Sequence, residues 1–164
     1  MGPAIAGSPR RVAIGVDGGR LALLLAVLER AGVPISSREV FVSCAGGFEV
    51  TEPAADLAVV AALLSSFSGR PLPASAVFFG EIGLLGEVRR VPAAPARLRE
   101  AAALGFERVY LPSANAQEAA SPARMVLCPV ERVSELVKEL GSISSASSAR
   151  TTSRSGAGPT ESEG

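Results

Sequence analysis

Between Val40 and Arg90 the chain switches repeatedly from strand-forming runs to glycine turns and back, which rules out an all-helical bundle. Val40–Cys44 (V-F-V-S-C) is β-branched and aromatic, as a strand requires. Gly46-Gly47 supplies a turn, and Phe48–Thr51 reads as a strand returning along the first. A helix is expected from Pro53 to Phe67, because proline's missing N–H costs nothing in a first helical turn. Leu57, Val59, Val60, Leu63 and Leu64 make it apolar nearly all round, so it should be largely buried. Ala76–Val91 then reads as two strand segments, hairpin-like and punctuated by Gly80, Gly83 and Gly86.

The flanks continue the alternation. Arg10–Val16 reads as a strand, and Gly18–Arg30 carries Leu21, Leu24, Leu25 and Leu28 at helical spacing before Gly32 and Pro34 stop it. Pro95–Leu104 reads as a surface helix closed by Gly105. A strand at Arg108–Leu111, a short helix at Ala114–Ala120, a strand at Met125–Val130 and a helix at Val133–Leu140 complete the series. Residues 1–9 are small and Gly/Pro-rich, a flexible entry. Residues 141–164 are Ser, Thr, Gly and Ala with little to bury, and disorder is expected there. One two-layer α+β or α/β domain at residues 10–140 is the expected organisation.

Composition narrows the function. Hydrophobic residues make up 48% and aromatics only 4%, so the core must be built from Ala, Val and Leu. Formal charge is zero and pI near 6.3, so contact with nucleic acid requires a local basic patch rather than an overall basic domain. The charge is uneven: residues 31–87 carry six carboxylates against two arginines, and residues 88–141 carry eight cations against six carboxylates. With no histidine and two distant cysteines, Cys44 and Cys128, an ordinary zinc site cannot form. Buried free thiols are expected. No apolar run is long enough to cross a bilayer, and a cytoplasmic protein is expected.

Catalytic constellations are missing as well. A Ser-His-Asp or Cys-His site lacks its histidine. The only lysine is Lys138, in the last helix, so no serine has an evident base. Glu49, Glu52, Asp56 and Glu81 could form a paired-carboxylate site, although acids near a helix start more often act as caps. Gly15, Gly18 and Gly19 could cradle a phosphate, or simply turn a strand into a helix.

Five ordered fragments together carry a resemblance: R-L-A-L-L-L-A-V-L-E at Arg20–Glu29, E-P-A-A-D-L-A at Glu52–Ala58, F-G-E-I-G at Phe79–Gly83, G-E-V-R at Gly86–Arg89 and R-L-R-E-A-A at Arg97–Ala102. Over about residues 9–140 the chain resembles the C-terminal Lon-protease-like domain of the bacterial RadA/Sms DNA repair proteins. The resemblance implies a two-layer Lon proteolytic-domain fold. At the positions of the Lon serine and lysine stand Ala54 and Pro95, so no catalytic residue is expected.

The family's zinc module and its RecA-like ATPase are absent from this chain, and Zn, ATP and Mg are expected only with them. The resemblance further implies a ring, typically hexameric, that binds branched or single-stranded DNA weakly and salt-dependently, with a RecA-type recombinase as a candidate partner. The candidate DNA patch is Arg10, Arg11, Arg89, Arg90, Arg97 and Arg99; the alternative is that these arginines bridge subunits or serve solubility. A Lon-type peptidase and a purely protein-binding assembly module are the competing functions.

Overall fold

The computed structural model describes residues 7–122 and 124–147. Residues 1–6 of the flexible entry expected at 1–9, and residues 148–164 of the tail expected to be disordered at 141–164, lie outside the described residues. Strand β1 (Arg11–Ile14) leads into helix α1 (Gly18–Arg30), which returns the chain to β2 (Val40–Ser43), parallel to β1 with Arg11 opposite Val40. A 3-10 turn at Pro53–Ala55 opens α2 (Asp56–Ser68). Strands β3 (Ala76–Phe78), β4 (Glu81–Ile82) and β5 (Val88–Arg89) follow, then α3 (Ala94–Ala103), β6 (Arg108–Pro112), α4 (Ser113–Glu118), β7 (Val126–Val130) and α5 (Val133–Ser147). The order β3-β6-β7 is a parallel three-stranded sheet, and β4–β5 is an antiparallel hairpin. The molecule is thus α+β, as expected.

Each boundary has a local cause. Asp17 caps α1 by accepting from the Arg20 N–H at 2.7 Å. After α1, the Glu29 carboxylate accepts from the Ile35 N–H at 2.9 Å and the Ser36 N–H at 2.8 Å, and so holds the crossing loop. Helix α2 stops at Gly69, which takes the left-handed conformation at φ 69°. Two apolar clusters form the core. One joins Leu21, Leu24 and Leu28 of α1 to Leu57, Val60 and Leu64 of α2 and to Val133 and Leu136 of α5. The other packs Leu98 and Ala101 of α3 on Val109 and Leu111 of β6. Phe78 and Tyr110 stack at 4.5 Å between adjacent strands.

The structure corrects three expectations. Phe48–Thr51 does not fold back on β2. Gly46 and Gly47 do turn the chain, at φ 87° and 72°, but it then resumes its former direction, and Val50 bridges Val16 in parallel. The Cys44 N–H donates to the Ile14 carbonyl at 2.9 Å and the Val50 N–H to the Gly15 carbonyl at 2.7 Å, so consecutive carbonyls accept from residues six apart and a loop is looped out between them. Helix α5 runs to Ser147 rather than stopping at Leu140; Gly141, which costs about 1 kcal/mol in a helix, does not end it. Cys44 and Cys128 are free but only half-buried.

Gly15 sits at φ 75°, and a Cβ there would fall 2.5 Å from the Phe48 carbonyl oxygen. Gly15→Ala is expected to cost about 2 kcal/mol or more, measured as a lowered urea midpoint. The Glu29 carboxylate is held below its ordinary range, first by the Ser36 N–H. A lowered folded pKa contributes stability above the unfolded value that disappears as pH falls through the folded one. Urea midpoints taken from neutral to acid pH should therefore fall less steeply in Glu29→Gln than in the wild type.

Candidate functional site

Ala54 lies in the 3-10 turn before α2 and is 4% exposed. Its carbonyl accepts from the Gly80 N–H at 2.7 Å, and the Leu57 N–H donates to the Gly80 carbonyl at 3.1 Å. Its methyl group packs in the apolar cluster with Phe79, Val91, Ala94 and Leu98. Pro95 occupies the first turn of α3 and is exposed. The fold thus brings the two positions to one place, since Ala94, next to Pro95, shares the cluster of Ala54. Neither side chain can attack a carbonyl or carry a proton.

Next to this turn lies the one strongly buried charge among the described residues. Asp56 is 3% exposed and accepts from the Ile82 N–H at 2.9 Å and from Arg20 Nε at 2.8 Å. Arg20 Nη2 also donates to Asp56 Oδ2 and, at 3.3 Å, to the Ile82 carbonyl. Glu81 stands 3.7 Å from the same guanidinium. The hydrogen bond that Arg20 donates to Asp56 raises the Arg20 pKa further, against the opposing effect of burial. The four carboxylates that could have formed a paired site are therefore dispersed: Asp56 and Glu81 face Arg20, Glu52 pairs with Arg97, and Glu49 is exposed. The Gly15–Gly19 stretch turns β1 into α1. The Asp17 carboxylate already occupies the cap, and the Phe48 carbonyl fills the space beside Gly15.

The six candidate arginines fall in three places. Arg11 opens β1 with Arg10 just before it, Arg89 ends β5 with Arg90 just after it, and Arg97 and Arg99 lie on α3. Arg89 pairs with Glu87 at 2.7 Å, Arg90 with Glu118 and Arg97 with Glu52. Arg97 also donates to the Pro92 carbonyl at 3.1 Å and covers the Phe79 ring at 5.9 Å. Arg10, Arg11 and Arg99 are exposed and form no ion pair among the described residues. Arg89 holds the Glu87 carboxylate below its ordinary range.

No family model matches the chain. The DNA repair protein RadA of Escherichia coli (strain K12) is 47% identical to it over 129 residues, which cover 78% of this chain and 28% of that protein. RadA of Pseudomonas aeruginosa (strain PAO1) is 46% identical over 81% of this chain and 29% of its own length. RadA of Bacillus subtilis (strain 168) is 41% identical over 84% of this chain and 30% of its own length. The chain belongs to the RadA/Sms family. It spans under a third of the length of these RadA relatives.

Sequence reasoning missed one surface of this RadA/Sms chain. Leu84 and Leu85, read as strand, instead sit at the tip of the β4–β5 hairpin at 69% and 63% exposure. Beside them a recess of about 200 Å³ is lined by Arg30 and Arg132. The signal that could have found it is the pattern Gly83-Leu84-Leu85-Gly86, an apolar pair inside a glycine turn.

Removing the Asp56 carboxylate strips Arg20 and the Ile82 N–H of their acceptors together. Asp56→Ala is expected to lose about 3 kcal/mol, read as a shift in chemical denaturation. Glu81→Gln, which leaves Asp56 in place, should lose well under half of that.

Proposed function

We propose that this chain is a non-catalytic, Lon-like scaffold that assembles into a ring and presents DNA-binding surface during recombinational repair and branched-DNA processing. The observation that carries the reading is the similarity to DNA repair protein RadA, 41% to 47% identical across most of the chain. Alanine and proline at the two Lon dyad positions support the non-catalytic part, because a Ser-Lys mechanism has neither nucleophile nor base there. Hydrolysis of ATP, with its Mg, and binding of Zn belong to the remaining length of RadA-type proteins, as does any encounter with a RecA-type recombinase. No helix among the described residues is long and apolar enough to cross a membrane.

On this reading the unpaired Arg10, Arg11 and Arg99 meet phosphate first. Arg89, Arg90 and Arg97 must exchange a glutamate for a phosphate, and exposed pairs of that kind are worth only about 0–1 kcal/mol. Six copies in a ring would multiply a small patch, so a neutral monomer is no obstacle. The same three ion pairs also favour the second reading, an assembly module that binds only protein.

The test is light scattering of the chain with and without forked DNA at low and moderate salt. A ring-sized particle that binds the fork and releases it as salt rises is expected. Arg89→Glu with Arg90→Glu should weaken binding sharply and leave the particle mass unchanged. A monomer indifferent to DNA at low salt would overturn the scaffold reading, and an intact ring indifferent to DNA would leave the assembly module.

A further inference from the structure

Leu84 and Leu85 are largely exposed, yet the backbone that carries them is tied down. The Gly83 N–H donates to the Glu87 carbonyl at 2.9 Å and the Gly86 N–H to the Gly83 carbonyl at 2.9 Å. The Leu85 N–H donates to Glu87 Oε2 at 3.1 Å, and Arg132 Nη2 donates to the Leu85 carbonyl at 2.8 Å. On the far side of β5, the Val88 N–H donates to the Glu131 carbonyl at 2.8 Å and the Val133 N–H to the Gly86 carbonyl at 2.9 Å. The turn is tied at both flanks, so holding its two leucines in a bound pose costs little further entropy.

The recess beside the tip is lined by cations, while the Glu87 carboxylate lies within the turn on the Leu85 N–H. Arg30 and Arg132 line the adjoining recess, and no carboxylate does. Arg30 forms no ion pair among the described residues, and Arg132 uses Nη2 on a backbone carbonyl, leaving the rest of its guanidinium for a ligand. Glu87, the acid within the hairpin, is matched by Arg89. Glu29, beside Arg30, is spent on the Ile35 and Ser36 N–H groups. A stable protein interface needs about 800 Å² per partner, far more than two leucines provide. An apolar pair on a tied turn, bordered by two arginines that form no ion pair among the described residues, fits instead a stacked base with phosphates on either side.

We propose that the Gly83–Gly86 hairpin tip is a wedge for a DNA junction, with Leu84 and Leu85 packing on the last base pair and Arg30 and Arg132 holding the flanking phosphates. This rests on the DNA-binding reading above and adds to it a position and a mode. The test uses the full chain and a forked DNA carrying 2-aminopurine at the first paired position, with anisotropy for affinity and fluorescence for unstacking. Wild type should brighten the probe. Leu84→Ala with Leu85→Ala should abolish the brightening and weaken fork binding about tenfold, with duplex binding unchanged. Arg30→Gln should weaken fork and duplex alike and reduce the salt slope by about 1.

If the double leucine variant binds and brightens the fork like wild type, the wedge is wrong and the scaffold reading stands. If wild type binds no DNA even at low salt, both fail. If the leucine variant loses particle mass while each subunit still binds and brightens the fork, the leucines are a protein contact and the wedge is wrong.

Discussion

Arg20 and Asp56 hold together what the apolar core alone would leave adjustable. Thirty-six positions apart, they join the first turns of α1 and α2, and through the Ile82 N–H they also fix the strand that opens the hairpin. Helices packed through Leu, Val and Ala can slide past one another at small cost, because dispersion has no direction. A buried carboxylate with three donors cannot slide, since each lost hydrogen bond leaves a desolvated charge. The pair therefore sets the register between α1, α2 and β4, and with it the direction in which the hairpin leaves the body. A salt bridge of this kind contributes more to a unique geometry than to net stability.

The surface arginines follow another rule. Several are matched to glutamates from distant parts of the chain, as Arg97 is to Glu52 and Arg90 to Glu118. Such pairs are screened and exchangeable, so they set which cations are available without locking any of them away. The local excess of positive charge then depends on which arginines lack a matching acid, more than on how many a segment contains.

Elements with a periodic signature were legible from sequence, and long-range pairings were not. The Leu21, Leu24, Leu25 and Leu28 spacing gave α1 its span, Gly18–Arg30. Ala54 and Pro95 needed only their identities to be read as chemically inert. Gly46-Gly47 misled because positive φ marks a turn but does not fix where the chain goes next; the open carbonyls of Ile14 and Gly15 decided that. The arginine partners were invisible because ion pairs between distant residues leave no periodic trace. Leu84 and Leu85 looked like strand core, for an apolar doublet reads the same in a sheet or at a tip until the turn is placed. The expected Lon-like topology rests on the family resemblance, while the alternation itself left α+β and α/β open and the separate parallel sheet and antiparallel hairpin decide for α+β.

Gly80 takes hold of the Ala54 turn from both sides, donating to one carbonyl and accepting from the Leu57 N–H. Both bonds are made by main-chain atoms. The path of the backbone at position 54 is thus indifferent to which side chain it bears, provided the side chain is small enough for the cluster around it. A fold hinged in this way keeps its shape through any small substitution at that spot, because the joint is made of peptide groups that every residue carries.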